Sequence, residues 1–227
     1  FFSAKSLYSM MSVDFSANQI TKVQNGENYK GINVETLTMT DNPITVYPVE
    51  FAKSKSKIGF VNMRGCRLSD VPKEAFEGEN VKYLMSLDFS YNDLNDLPSS
   101  FNAVNMPYFY GLELSYNEFS KFPFEPLDCY GLTVFGIRGQ RDKNGERCLS
   151  EWPTGIYQHV GLRGFYIGSN NLGMINDTIS PLCYYLEISD NPDIVFDASG
   201  VCYEYSIGAY YLIYDKTQDV RGCELML

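Results

Sequence analysis

The chain has 227 residues, of which 44% are hydrophobic and 20% are charged, and its formal net charge is −10. This balance is that of an ordinary globular protein and argues against disorder. The excess of acidic residues argues against a nucleic-acid backbone or an anionic membrane as the main partner. No apolar run in the sequence approaches the roughly 18 residues needed to span a bilayer, so we expect membrane attachment only through an anchor outside this chain.

An internal repeat runs along the chain and is clearest in the line that begins at Leu84. That line has the spacing L-x-x-L-x-L-x-x-N-x-L and is followed by a Leu-Pro pair. The line that begins at Phe109 repeats the same kinds of residue position for position. The first line of this phase starts at Val13 and the last ends near Asp215, and nine lines in phase are not a chance match.

Each line has one position suited to a hydrogen-bonding side chain, which we call the asparagine slot. In chain order the slots are occupied by Asn18, Asn42, Cys66, Asn92, Asn117, then either Gln140 or Arg147, and then Asn170, Asn191 and Asp215. Eight steps separate positions 18 and 215, so the mean step is about 25 residues. This step lies within the range of about 20–29 residues that leucine-rich repeats show.

The spacing within each line has a physical meaning. Leu87 and Phe89 are two residues apart, so their side chains point to the same face of a short strand. Stacking successive strands gives a parallel sheet and buries these side chains in one continuous core. Where the chain turns inward after the strand, the amide of Asn92 can pair backbone groups that a hydrophobic side chain would leave unpaired.

The repeat predicts an α/β fold, a leucine-rich-repeat right-handed solenoid of about nine coils. A parallel β-sheet would form its concave side, and short irregular or helical segments its convex side, where proline recurs because it lacks an N–H group. We assign residues 1–9 to an N-terminal cap or the end of an upstream unit, 10–215 to the solenoid and 216–227 to a C-terminal cap. The polar, glycine-containing stretch 138–148 is predicted to be a protruding loop.

The repeats resemble the leucine-rich-repeat superfamily over nearly the whole chain, on their asparagine slots and Leu-Pro signature. The stretches 155–165 and 214–223 are similar to leucine-rich-repeat surface lipoproteins of gut Bacteroidetes, which are typically of unknown function and carry other domains before the repeats. This resemblance implies export to the cell surface or the periplasm. It also implies a binding role without a catalytic centre.

Residues between and beside the inward-facing positions are expected on the concave face. They are mostly serine, threonine and acidic in the N-terminal half and rich in tyrosine in the C-terminal half. Exposed aromatic side chains beside polar groups suit recognition of a protein, a peptide or a glycan. The candidate ligand-binding residues are Asp14, Asn62, Arg64, Asp88, Glu113, Arg138, Tyr166, Tyr185, Glu187 and Tyr211. The alternative is a structural spacer or scaffold domain of a larger surface protein, without its own ligand.

Catalytic alternatives have little support in the sequence. Asp88 and Glu113 occupy the same position on adjacent coils, and such a pair could serve a glycosidase or bind Ca²⁺. An open sheet offers no deep pocket, however, so ordinary surface acids are the favoured interpretation. His159, the only histidine, lies in a convex stretch with no nucleophile motif nearby. We therefore expect no catalytic residues, no metal site and no cofactor.

The six cysteines do not by themselves indicate the redox compartment. Cys66 and Cys183 both fall at inward-facing positions, about five coils apart, which is too far for a disulfide. Cys202 and Cys223 are about one coil apart, and a disulfide between them is one way to hold the C-terminal end. The pairing of the other two is left open.

Overall fold

The computed structural model describes residues 10–23, 34–53, 57–159, 161–175, 183–197, 211–215 and 217–221. The chain divides into two compact units: unit 1 comprises residues 1–114 and 123–132, and unit 2 comprises residues 115–122 and 133–227. The N-terminal segment assigned as a cap, most of the C-terminal one, and the cysteines at 202 and 223 lie outside the described residues.

Among its described residues, unit 1 has five short strands at the positions that the repeat predicts. They are β1 (Met10–Asp14), β2 (Val34–Thr38), β3 (Ile58–Asn62), β4 (Ser86–Asp88) and β5 (Gly111–Glu113). The strands pair in parallel and in chain order, so that equivalent repeat positions such as Leu37, Val61 and Leu87 are register partners. These three side chains are buried, because the two-residue spacing turns them all to the core face.

In the part of unit 1 that the structure describes, the return segments contain short helices. These are α1 (Glu50–Lys53) and three 3-10 helices, at Lys73–Phe76, Val81–Tyr83 and Glu125–Asp128. Phe76, Phe101 and Phe109 are fully buried behind the sheet. Their rings meet edge to face, with centroids 4.9 Å and 5.1 Å apart in successive pairs. An aromatic column therefore fills the core on the side away from the strands.

The described residues of unit 2 form two sheets. The first continues the repeat pattern with the parallel strands β6 (Val134–Gly136), β7 (Gly164–Tyr166), β9 (Tyr185–Glu187) and β11 (Tyr211–Ile213). The second is a three-stranded parallel sheet of the return segments, formed by β8 (Met174–Ile175), β10 (Val195–Asp197) and β12 (Asp219–Arg221). Short irregular or helical segments were expected there, so the second sheet was not predicted. A 3-10 helix spans Ile156–Gln158.

A left-handed backbone conformation precedes each described slot from 18 to 191. The residues concerned, with φ between 53° and 68°, are Ala17, Asp41, Gly65, Tyr91, Tyr116, Gly139, Ser169 and Asp190. This conformation produces the sharp inward turn after the strand. The same conformation decides between Gln140 and Arg147 for the slot that the sequence left open. Gly139 is followed by Gln140, which is completely buried, whereas Arg147 is partly exposed, so Gln140 occupies the slot.

The slot amides join each coil to the one before it. In unit 1, Asn92 Oδ1 accepts hydrogen bonds from the backbone N–H groups of Cys66 at 2.9 Å and Leu68 at 2.8 Å. Its Nδ2 donates to the carbonyls of Met63 and Phe89, both at 2.9 Å. A single asparagine thus satisfies backbone groups of two successive coils that the sheet itself leaves unpaired.

The same arrangement recurs in unit 2. Asn170 Oδ1 accepts a hydrogen bond from the N–H of Gln140 at 2.8 Å, and Asn170 Nδ2 donates to the carbonyls of Ile137 and Ile167, both at 2.9 Å. Asn191 likewise accepts from the N–H of Leu172 at 3.0 Å. The slot bonding is therefore a property of the repeat and recurs in both units.

The assignment of Asp215 to the last slot is corrected by the structure. Asp215 is exposed, and its Oδ2 accepts the N–H of Asp190 at 2.6 Å. Gln218 is buried instead, and its Nε2 donates to the carbonyls of Ile188 at 2.9 Å and Asn191 at 3.1 Å. The physical reason is that an ionised carboxylate has no N–H to donate, whereas a side-chain amide has two.

Candidate binding face

In unit 1 the outward-facing acids cap the ends of their own strands. Asp14 Oδ1 accepts hydrogen bonds from the N–H of Ser16 at 2.8 Å and from its hydroxyl at 2.5 Å. Asp88 Oδ1 does the same with Ser90, at 2.9 Å and 2.6 Å. The bonds from Ser16 hold the pKa of Asp14 below its usual range. Both carboxylates therefore have a local structural role.

Asn62 and Arg64 are held in a similar way. Asn62 Oδ1 accepts the N–H of Arg64 at 3.0 Å, and Arg64 Nη1 donates to the hydroxyl of Ser90 at 3.3 Å. The guanidinium of Arg64 also lies 3.8 Å from the ring centroid of Tyr91. Arg64 thus bridges two successive coils of unit 1 through a hydrogen bond and a cation–π contact.

The sheet places Asp88 and Glu113 opposite each other as register partners on adjacent strands. One oxygen of Asp88 is already engaged by Ser90, as described above. Within the described ranges, no group of three or more histidine, cysteine, aspartate or glutamate side chains is arranged to hold a metal ion. His159 is buried in a return segment of unit 2.

In unit 2 an ion pair crosses the outward side of the sheet. Arg138 Nε lies 2.7 Å from Glu187 Oε2, and the side chain of Glu187 is only 7% exposed, against 31% for Arg138. Glu187 also accepts hydrogen bonds from the N–H of Gly168 and the hydroxyl of Ser189. Glu187 was predicted as a ligand contact, but these three donors occupy its carboxylate. In the structure, Glu187 positions the side chain of Arg138.

Tyr166 folds back along its own strand over Gly164. A Cβ atom at Gly164 would lie only 3.1 Å from Cε2 of the Tyr166 ring, so this close approach depends on the missing side chain. The guanidinium of Arg138 lies 4.4 Å from the centroid of the same ring. The ring is therefore held by the sheet beneath it and by the arginine beside it.

Tyr185 and Tyr211 are register partners on β9 and β11. Their rings are stacked with centroids 4.9 Å apart and planes inclined by 7°. Both rings remain in contact with solvent, at 43% and 51% exposure. We call Tyr166, Tyr185 and Tyr211 the tyrosine platform.

Sequence reasoning placed the platform tyrosines and Arg138 on the outward side of one sheet, and the structure brings them onto neighbouring strands of unit 2. It missed the roles of Gly164 and Gly168. A Cβ at Gly168 would overlap the carboxylate of Glu187, so this glycine makes room for the ion pair. The signal in the sequence was a pair of glycines at outward-facing positions of one coil, and the role of Gly168 depends on Glu187 of the next coil.

The loop 138–148 is fastened to neighbouring coils of unit 2. Arg147 Nη2 lies 2.5 Å from Asp190 Oδ1, and its Nη1 donates to the carbonyl of Asn170 at 2.9 Å. Arg141 Nη1 donates to the carbonyl of Ser169 at 2.7 Å. The sequence predicted a protruding loop, but two of its arginines hold it against the turns that precede the slots.

The described cysteines are free thiols. They are Cys66, Cys129, Cys148 and Cys183. Burial raises the pKa of Cys183 to about 11 and that of Cys129 to about 12. Both thiols are therefore protonated at neutral pH and are poor nucleophiles.

Comparison with solved structures identifies the fold family. A leucine-rich repeat protein from Bacteroides thetaiotaomicron VPI-5482 is 39% identical and superposes with a TM-score of 0.91 over 99% of this chain. The chain has the leucine-rich-repeat fold. A second leucine-rich repeat protein, from Bacteroides eggerthii DSM 20697, is 42% identical with a TM-score of 0.87 over 98% of this chain. The chain spans 28% and 38% of the lengths of these two proteins.

Among curated proteins, lumican of Bos taurus is 34% identical over 97 residues, which is 42% of this chain and 27% of lumican. No family model matches the chain. The comparisons confirm the predicted leucine-rich-repeat fold and the similarity to Bacteroides proteins. They support about seven turns, slightly fewer than the nine coils expected. Across the described ranges, none of the helices has the length and apolarity that crossing a bilayer requires.

Proposed function

We propose that this leucine-rich-repeat chain is a non-catalytic binding module that recognises a protein, a peptide or a glycan through the outward, concave side of its sheet in unit 2. The observation that carries the proposal is the stacked and exposed pair of Tyr185 and Tyr211. Tyrosine combines a large rigid apolar face with a hydroxyl group, and it is enriched among residues that dominate binding energy.

The remaining side chains of this face support the same choice. The charges of Arg138 and Glu187 are paired with each other, and the carboxylate is buried. The exposed rings of Tyr185 and Tyr211 are therefore large groups with area left to offer a partner. Leucine-rich repeats commonly use this extended side of the stacked sheet for binding.

We also propose that the chain is exported and acts at the cell surface or in the periplasm as part of a larger protein. The resemblance to surface lipoproteins supports this location. Since the chain spans well under half of its Bacteroides relatives, an anchor and further domains would lie in other parts of such a protein. The binding partners of that larger protein are likewise part of the proposal.

A structural spacer is the second candidate function. The observation that favours it is the face of unit 1, where Asp14, Asp88 and Arg64 bond to neighbours within the sheet. Such a face needs no ligand to satisfy its polar groups. Under this alternative, the tyrosines of unit 2 would cover the sheet and would contact no partner.

The test is a binding screen of the purified chain against arrays of glycans, peptides and surface proteins. Any hit is measured again with Tyr185→Ala and Tyr211→Ala, and with Tyr130→Ala as the matched control, because Tyr130 is 86% exposed and lies in unit 1. We expect the first two variants to lose binding while circular dichroism shows an intact fold. Binding that survives both substitutions would refute the concave site.

A further inference from the structure

We propose that the ligand of the tyrosine platform is a neutral carbohydrate, bound by stacking of a sugar ring on the tyrosines. This inference rests on the proposed function and names its ligand class. Three observations on unit 2 lead to it: the balance of charge on the outward side of the sheet, the state of the backbone there, and the groups that surround Tyr166.

The first observation concerns charge. Among the outward-facing residues of β6, β7 and β9 and the residues that directly follow these strands, the charged side chains are Arg138 and Glu187, which pair at 2.7 Å. The exposed acid Asp215 follows the outer strand β11. The surface around Tyr166 and Tyr185 is therefore locally neutral, although the chain carries a net charge of −10. An anionic ligand would have to compete with Glu187 for Arg138, and a cationic ligand would find that carboxylate buried. A neutral ligand neither competes for Arg138 nor needs the buried carboxylate of Glu187.

The second observation concerns the backbone. The strand β7 is hydrogen-bonded on both sides: the N–H of Gly164 donates to the carbonyl of Thr133 at 2.9 Å, and the N–H of Tyr185 donates to the carbonyl of Arg163 at 3.0 Å. A peptide that binds by strand addition needs a free sheet edge, and β7 and β9, which carry Tyr166 and Tyr185 and are paired on both sides, offer none. Recognition there depends on side chains that project from the face.

The third observation concerns the groups around Tyr166. The Tyr166 ring lies over Gly164, where no side chain stands above the sheet, and the exposed stack of Tyr185 and Tyr211 projects beside it. A sugar ring has one face made of C–H groups and a rim of hydroxyls. The C–H face suits the aromatic surface, since C–H contacts with an electron-rich ring are favourable.

Arg138 supplies the complementary polar group. Its Nε is occupied by Glu187, and its guanidinium lies 4.4 Å from the centroid of the Tyr166 ring. A guanidinium carries five N–H donors, so further donors remain beside the platform for the hydroxyl rim of a sugar. The face thus offers an apolar surface and neighbouring hydrogen-bond donors. Those donors belong to the Arg138 guanidinium, whose positive charge is already neutralised by Glu187.

The experiment is a titration of the intact chain by isothermal calorimetry with neutral hexasaccharides of glucose, mannose, galactose and xylose. Separate arms use heparin-derived hexasaccharides and a library of uncharged hexapeptides. We expect at least one neutral hexasaccharide to bind. We expect Tyr166→Ala and Tyr211→Ala each to weaken that binding about tenfold, and Tyr166→Phe and the control Tyr130→Ala to leave it within about twofold.

The outcomes separate this inference from the proposed function. If no neutral hexasaccharide binds, the carbohydrate assignment is wrong. If a peptide or a heparin fragment binds instead and Tyr166→Ala or Tyr211→Ala abolishes that binding, the carbohydrate assignment is again wrong but the concave binding site stands. If binding in every arm is unchanged in the tyrosine variants, both proposals fail. Circular dichroism of each variant shows that a loss of binding does not reflect unfolding.

Discussion

In unit 1 the outward-facing polar side chains bond to one another, whereas in unit 2 two tyrosine rings stand exposed beside a neutralised ion pair. Asp88 illustrates the first situation, because its carboxylate caps Ser90 two residues later. Glu187 illustrates the second, because it reaches Arg138, which lies 49 residues earlier in the sequence. Both acids occupy the same position of the repeat, yet only Glu187 is almost fully buried.

This difference shows that the framework and the face of the repeat are independent. The slot residues Asn92 and Asn170 make equivalent bonds in the two units. The outward positions carry unrelated side chains on that common framework. A stacked sheet can therefore change what it presents without changing how it is held together, because the two sets of side chains point to opposite faces.

The largest effect is expected from the shared framework. Asn92→Ala would leave the N–H groups of Cys66 and Leu68 and three backbone carbonyls without these partners, and should lower the free energy of unfolding by about 3 kcal/mol. Asn170→Ala should have a similar effect in unit 2. Cys66→Ala is the control with a loss of about 1 kcal/mol, because its thiol donates one hydrogen bond, to the carbonyl of Met39 at 3.0 Å. Equilibrium urea unfolding measures all three, and equal losses for Asn92→Ala and Cys66→Ala would contradict the slot assignment.

The next effect distinguishes the two acids. Glu187→Ala removes the partner of Arg138 and of the Gly168 N–H from a buried position, and should cost about 2 kcal/mol. Asp88→Ala removes a cap from a half-buried position and should cost less than about 1 kcal/mol. Thermal unfolding of the two variants side by side measures the difference. If Asp88→Ala proves the more damaging, the contrast between the units is wrong.

A smaller effect is expected in the loop 138–148. Arg147→Ala removes the contacts to Asp190 and Asn170, and because both ends of the ion pair are partly exposed the loss should be about 1 kcal/mol. Arg147→Ala should also loosen the chain around Lys143, so trypsin should cleave the loop faster at that residue. Lys82→Ala is the control, since it breaks an exposed ion pair with Glu79 in unit 1. An unchanged cleavage rate at Lys143 would show that Arg147 does not hold the loop.

The smallest effect is a dependence on pH. Hydrogen bonding from Arg147 holds the pKa of Asp190 below its usual value of 3.8. A lowered folded-state pKa contributes stability above the unfolded value, and that contribution is lost as the pH falls through the folded value. The stability difference between the natural chain and Arg147→Ala should therefore be constant above about pH 5 and shrink below pH 3.8. Urea midpoints measured at pH 7, 5 and 3 test this, and a difference that grows at pH 3 would contradict the pairing.

Much of the framework could be predicted from sequence because each slot is decided by the chemistry of one side chain. Asn92 and Asn170 were assigned from their spacing, and the structure shows the bonds that this assignment requires. The last slot was misassigned, because spacing pointed to Asp215 while the need for N–H donors selected Gln218 three residues later. The spacing of the repeat alone does not show whether a slot needs a carboxylate or an amide.

The candidate face was only partly predictable. The two-residue alternation of strands placed Tyr166, Tyr185 and Tyr211 on one side of the sheet, since that alternation is local. The stacking of Tyr185 on Tyr211 and the burial of Glu187 depend on residues more than 20 positions away. Such pairings need the register between strands, which is not visible within one repeat.

By itself the sequence determined the repeat, the parallel sheet, the inward core and the side on which the tyrosines lie, because these follow from periodicity and from the chemistry of single side chains. The tertiary structure decided which polar groups are already paired: it gave the last slot to Gln218, buried Glu187 and left Tyr185 and Tyr211 exposed. The reason is that pairing depends on distances between coils, and those distances exist only once the strands have stacked.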